Sequence, residues 1–405
     1  MINFLIVLFL SSSQLFCSVQ TKRLENGLRI IYSDNDTKYP GAVMNIFVKG
    51  GASLSFDKKS SFAGLAKDYM ENRIKRLSRS YGFRYETKIS WDYTAYSFYL
   101  SPSSLSYAVP KILNTFFDPE PLLVQELDYL KNGATQRALW NINRRQMQYP
   151  LISFFASRNS LYNAGFDGFI EDVSSVSAAE FNNFCKCYFS TNNIVISFSG
   201  VKEKDIPFND AKIYRPCFKD ENFETERFQQ GGGPVVDFSY YQAAGTGFIA
   251  RMGFLSSPCT TKSVLYDVVA EVLARNDKLS PATGSFYPRN NCYLNTGTID
   301  LVFSGTSQDF SPGLVLKELL AYSQTLTEQD LKLAKESLVS DYYRSLSNKK
   351  EASYLLGRAE IVCKDHEKFL AYPHDVKKVS LKDVKRILKN LSSARYVYVL
   401  MKMGK

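Results

Sequence analysis

The sequence predicts an α+β protein of two homologous domains, each an antiparallel sheet packed with helices. Three observations predict it. The chain repeats itself at long range. Runs of β-favouring residues and runs with helical spacing occur in both halves. Composition suffices for two cores: of 405 residues, 45% are apolar and 14% aromatic, which excludes wholesale disorder and collagen-like or linker-like classes.

The repeat is clearest where each half ends. The stretch VSSVSAAEF from Val173 returns as VKKVSLKDV from Val376, an offset of 203 residues. Each copy sets a serine, Ser177 or Ser380, three residues before an acid, Glu180 or Asp383. That is the pattern of a capped helix start: the serine oxygen takes an orphan backbone N–H and the acid favours the positive helix end. The same offset carries Ile194, Val195 and Ile196 onto Val397, Tyr398 and Val399, both β-favouring runs. Looser matches set the helix start at Glu126 on Asp330, and the apolar helix Gly64 to Arg73 on Asp267 to Asn276.

In chain order, residues 1–18 read as a signal peptide. No charge precedes Lys22, and Phe4 to Leu10 is an apolar run too short to span a bilayer, which takes about 20 residues. No later stretch is long enough either, so the mature chain is expected to be exported, periplasmic or secreted, with no transmembrane segment. Loss of Cys17 with the leader would leave six cysteines: Cys185, Cys187, Cys217, Cys259, Cys292 and Cys363. An even number suits an oxidising compartment, and Cys185-x-Cys187 is too tight for a usual zinc knuckle. The first domain spans 19–201. Asn26-Gly27 between apolar runs signals a hairpin; Ala42 to Val48 reads as a strand closed by Gly50-Gly51, Phe62 to Leu77 as a helix, and Trp91 to Leu100 as a strand. Residues 202–234 are polar, carry prolines and end in three glycines and Pro234, a linker by composition. The second domain, 235–405, opens on a strand expected over Tyr240 to Phe254.

The charge of +10 is mild for this length, and the basic residues form no RNA-binding signature, so no nucleic-acid partner is expected. The only histidines are His366 and His374. Any mechanism that needs a histidine upstream is excluded. A two-histidine metal site there is disfavoured because Pro373 interrupts a helix that would align them, which leaves exposed loop histidines as the plainer expectation. A Cys363–His366 nucleophile pair lacks an orienting third group.

The strings ENGLRII, VKGGAS and GLAKDYME, followed by EDVSSVSAAEFNNFCKCYFSTNNIVISFSG, resemble the pitrilysin/insulinase family of metallopeptidases over nearly the whole mature chain. The resemblance implies clam-shell halves around a chamber. It also implies an H-x-x-E-H zinc motif on the first helix, with two histidines as ligands and a Glu as general base. Here the pentad is Lys67-Asp68-Tyr69-Met70-Glu71: Lys67 and Glu71 stand in place of the histidines and Met70 in place of the base. No Asp or Glu lies between Tyr129 and Phe166 to serve as third ligand; Lys131, Arg137, Arg144, Arg145 and Arg158 do. No catalytic residue, metal or cofactor is therefore expected in this chain. By the same resemblance, zinc would sit only in a partner: a zinc-bearing homologue forming a heterodimer in which this chain helps to bind and enclose an extended peptide. Degenerate subunits offer an Arg and a Tyr near the partner's zinc; Arg289 and Tyr293 are the candidates, against a plain turn between helix and strand. The alternative is a stand-alone peptide- or protein-binding module, alone or self-paired.

Overall fold

The computed structural model describes residues 18–34, 41–148, 151–156, 160–164, 166, 168–205, 223–225, 237–242, 247–260, 262–279, 284–306 and 311–403. The leader with Cys17, as well as Arg158, Cys217 and the triple glycine, lies outside them.

The first half runs β1 (Ser18–Arg23), β2 (Arg29–Asp34), β3 (Ala42–Lys49), β4 (Leu54–Phe56), α1 (Phe62–Tyr81), β5 (Arg84–Ile89) and β6 (Tyr93–Leu100). It continues through α2 (Leu105–Phe117), α3 (Val124–Gln148), α4 (Ile152–Phe155), α5 (Leu161–Ala164), α6 (Ile170–Ser175), α7 (Ala178–Tyr188) and β7 (Ile194–Ser199). A short strand follows, β8 (Phe223–Thr225), which pairs back onto β4; the stretch that reads as a linker thus contributes a strand to the first half. The second half runs β9 (Asp237–Gln242), β10 (Gly247–Ser256), α8 (Ser263–Ala274), β11 (Gly284–Cys292), β12 (Gly297–Gly305), α9 (Pro312–Thr325) and α10 (Glu328–Ser347). It closes with α11 (Lys349–Cys363), α12 (Glu367–Leu370), α13 (Tyr372–Lys378), α14 (Leu381–Leu391) and β13 (Tyr396–Met403).

The two sheets have one plan. The first is ordered β1-β2-β7-β3-β6-β5 and the second β11-β12-β10-β13-β9. Read from the other end, the second repeats β2-β7-β3-β6-β5 strand for strand. The single parallel pair falls in the same place, β2 with β7 and β13 with β9, and the other neighbours are antiparallel. The repeated motif acts as its chemistry requires. Ser177 accepts from the N–H of Glu180 while the Glu180 carboxylate takes the N–H of Ser177, and Ser380 accepts from the N–H of Asp383. The hairpin at Asn26-Gly27 joins β1 to β2, with Gly27 at φ 88°, a left-handed value that glycine adopts without strain. The strand expected over Tyr240 to Phe254 is instead two, β9 and β10. They lie at different places in the sheet, on either side of β13.

Each sheet packs one face on its own helices. In the first, Met44, Ile46, Tyr96 and Ile196 meet Leu65, Met70, Ile112 and Phe184. In the second, Met252, Phe254 and Leu301 meet Val268, Val272, Leu319 and Leu388. The opposite faces are covered by exchange between the halves. Helix α11 of the second half lays Leu356, Ile361 and Val362 on Ile31, Phe47 and Val195 of the first sheet. Reciprocally, Leu151 and Phe155 at α4 of the first half lie on Val397 and Val399 of the second. Each such side chain contributes about 1.5–3 kcal/mol when fully buried. A polar seam fixes the register of α11: Asn45 Nδ2 donates to Ser353 Oγ (2.7 Å) and Ser197 Oγ to the Ser353 carbonyl (2.7 Å). Among the described residues, no helix is long and apolar enough to cross a membrane.

Candidate functional site

Helix α1 sits against the inner face of the first sheet and carries the pentad. Its start is anchored from α6. Asp172 accepts from the Ser60 N–H (2.7 Å) and hydroxyl (2.6 Å), and Ser61 turns into the helix at φ 81°. Met70 is fully buried in the first core, as the apolar stripe of an amphipathic helix requires. Lys67 and Glu71, one turn apart, face the same way. Lys67 Nζ lies 2.8 Å from Glu71 Oε2 and 3.1 Å from Asp68 Oδ1. Thr87 of β5 donates its hydroxyl to Glu71 Oε2 at 2.9 Å, and Arg137 of α3 closes on Asp68.

Two cations and two carboxylates thus meet where the resemblance would set a zinc ion. Burial alone would lower the pKa of Lys67, but Asp68 and Glu71 outweigh it and hold the ammonium above its ordinary value. Burial alone would raise Glu71; Lys67 and the Thr87 hydroxyl outweigh it and hold the carboxyl below its ordinary range. An ammonium has no lone pair to give a metal, Glu71 Oε2 is engaged by Lys67 and Thr87, and Met70 cannot move a proton. The donor set does not fit zinc. Among the described residues, no group of three or more His, Cys, Asp and Glu side chains could hold a metal ion. The partnership of Asp68 with Arg137 was not legible in the sequence, since α3 meets α1 only through the tertiary fold.

Arg289 and Tyr293 lie in the second half, at and just beyond β11. The stretch that also read as a turn is an edge strand, the counterpart of β5. Arg289 is exposed and stands opposite Asp300 of β12. Tyr293 is half-buried against the Trp91 cluster of the first half, and burial pushes its hydroxyl well above the ordinary value. Both lie within electrostatic reach of Arg251. Arg251 pairs with the buried Asp300 at 3.6 Å, and Asn291 Nδ2 donates to the same carboxylate at 2.9 Å. The structure therefore gathers Arg289 and Tyr293 round one buried ion pair, on a different half from Lys67, Met70 and Glu71.

The histidines do not meet at a site. His374 is exposed beside Asp375 (3.7 Å). His366 is not an exposed loop residue. Its ring bridges Thr21 Oγ1 of β1 (2.9 Å) and Glu360 Oε2 (2.9 Å), and Glu360 Oε1 holds Arg29 at 2.7 Å. Of the cysteines, Cys259 and Cys292 form a disulfide, Cys187 is disulfide-bonded, and Cys185 and Cys363 are free. Cys185 is buried in the first core, a structural place.

No known family profile and no curated protein sequence matches the chain. Solved structures do. A protease from Helicobacter pylori superposes with a TM-score of 0.79 at 13% identity, covering 95% of this chain and 99% of that one. A chain from Alicyclobacillus acidocaldarius, described as an M16-like peptidase, gives 0.80 at 13%, covering 96% and 99%. An M16 inactive domain from Pseudomonas fluorescens gives 0.77 at 12%, covering 96% and 98%. These identities establish fold. It is a pitrilysin/insulinase-like fold over nearly the full chain.

Proposed function

We propose, for a chain with the M16-like peptidase fold over nearly its whole length, the role of a catalytically degenerate subunit of a heterodimeric zinc peptidase. The Lys67–Glu71 ion pair carries this reading, because it occupies the two places where zinc ligands would stand. In the proposal zinc belongs to a homologous partner, and this chain closes the chamber and holds extended peptide. The likeness to a structure described as an inactive M16 domain supports it. Export to the periplasm or beyond is part of the same proposal, and the Cys259–Cys292 disulfide suits it.

Peptide holding rests on the open edge at β11. An extended chain added there gains main-chain hydrogen bonds with little sequence preference, and Arg289 and Tyr293 lie at that edge. The same edge supports a second reading, a stand-alone peptide-binding module, since it needs no partner to be open.

The test is purification of the tagged chain from its own cell. A near-stoichiometric homologue bearing H-x-x-E-H is the expected companion. Capture of the chain alone or self-paired, with bound peptide, would favour the second reading. Stoichiometric zinc together with peptide cleavage by the isolated chain, both lost in Glu71→Ala, would overturn both.

A further inference from the structure

The second half holds a half-open pocket of about 300 Å³ between α8, α10, α11, α12 and α13, lined by none of the α1 residues. Its size is at the lower end for ligand sites, about 300–1,000 Å³, and suits a small molecule. Leu338, Tyr342 and Phe369 supply apolar wall, and the rings of Tyr342 and Phe369 lie 5.0 Å apart. Two opposite charges face the space. Asp267 and Arg358 are each surrounded by protein, yet each keeps part of its surface open, and both line the cavity.

These charges attract but do not close on one another. The Asn290 amide holds Asp267 Oδ1 at 2.9 Å, and the Tyr372 hydroxyl also bonds the carboxyl. Arg358 Nη2 is tethered to the Cys292 carbonyl at 2.9 Å. Among the described residues, Asp267 has no ion-paired cation and Arg358 no ion-paired carboxylate. The other lining charges are engaged elsewhere: Asp341 with Arg344 (2.8 Å), Asp375 with Lys378 (3.5 Å), and Lys368 with the Cys363 carbonyl (3.2 Å). Each charge is thus hydrogen-bonded, and Arg358 also feels Tyr93 and the buried Asp92, but neither has a directly paired ion, and a ligand of matching charge would supply one.

We propose that this cavity binds a small zwitterion with one ammonium, one carboxylate and an apolar side chain, a free α-amino acid or a dipeptide. The ammonium meets Asp267, the carboxylate meets Arg358, and the side chain lies on Leu338, Tyr342 and Phe369. This site is independent of the peptidase reading and stands whether or not the chain has a zinc-bearing partner.

Isothermal titration of the full chain tests it, with leucine and leucyl-leucine as probes. Saturable one-to-one binding of either is expected, and the tighter of the two tells amino acid from dipeptide. Leucinamide lacks the carboxylate and 4-methylpentanoate the ammonium; each is expected to bind at least about tenfold more weakly. Asp267→Asn is expected to weaken the zwitterion by at least about tenfold, and Ala359→Leu, which fills the cavity, to abolish binding. Thermal melts check that both variants fold; should Asp267→Asn fail to fold, Ala359→Leu and the two single-charge ligands decide. No binding of either zwitterion, equal binding of the single-charge ligands, or undiminished binding by a folded variant would overturn the proposal.

Discussion

Gly357 lies directly over the ring of Phe47: a Cβ added at Gly357 would stand 2.2 Å from Phe47 Cε2 and 2.7 Å from Ser197 Oγ. A helix of one half thus touches the sheet of the other at a distance that only glycine permits. Gly357→Ala is expected to push α11 off the first sheet and cost about 1–3 kcal/mol. A lower melting midpoint, partly restored in Gly357→Ala combined with Phe47→Leu, is the expected result; an unchanged midpoint would show that the seam is loose.

The Lys67–Glu71 pair is partly screened by water, with 23% and 35% of the two side chains exposed. Its worth is accordingly small, at most about 1 kcal/mol, and Glu71→Gln is expected to shift the melting midpoint by little. The double change Lys67→His and Glu71→His should act differently. It sets two imidazoles one turn apart on a helix and is expected to confer zinc binding that the unaltered chain lacks. Titration of both proteins with zinc checks this, and equal binding by the unaltered chain would contradict the assignment.

His366 makes the joint between β1 and the second half depend on pH. The hydrogen bond to Glu360 raises the His366 pKa above its ordinary 6.5, against burial, which lowers it. Glu360 is held below its ordinary 4.5, first by His366, with burial opposing and Arg29 adding to the effect. A raised histidine stabilises fully below the unfolded value and loses that contribution as pH rises through the folded one. A lowered carboxylate stabilises above the unfolded value and loses that contribution as pH falls through its folded one. Stability from this cluster is therefore expected to be greatest from about pH 4.5 to 6.5 and to decline on either side. Melting midpoints across pH should show it, and His366→Gln should flatten the alkaline decline and shrink the acid one to the part that Arg29 and the backbone N–H at position 366 sustain. A wild-type profile that His366→Gln leaves unaltered on the alkaline side would refute the role.

The Cys259–Cys292 disulfide closes a loop with a sequence separation of 33. Replacing both cysteines by serine is expected to cost about 3–4 kcal/mol, chiefly by freeing the unfolded chain. Reduction of the native protein also opens the disulfide at Cys187, so the comparison is made under reductant, where the native protein and the serine variant should melt together; different midpoints there would show that the serine variant loses more than the bond.

The parts of this fold legible in the sequence are local. The Asn26-Gly27 hairpin, the Ser177 and Ser380 caps and the buried β7 and β13 each follow from short-range chemistry, and their spacing exposes the duplication. Strand β11 was harder, because Pro288, Asn290 and Asn291 favour turns. An edge strand tolerates them, since one side of its backbone has no ladder to complete. Asp68–Arg137, Thr21–His366 and the facing pair Asp267 and Arg358 are joined only by tertiary packing. No periodicity in one segment records which side chain will arrive from another. The exchange of α4 and α11 was hidden for the same reason: each is an ordinary apolar helix until its target sheet is known.

That exchange also imposes an order of events on a ribosome. The sheet of the first half can assemble once Ser199 has emerged, but its second face, with Ile31, Phe47 and Val195, stays bare until Cys363 follows. At about 5–20 residues per second the wait is roughly 8–30 s. Throughout it the nascent chain presents a greasy β surface to its surroundings, so a chaperone or an export factor that holds newly made chains has its natural point of purchase there.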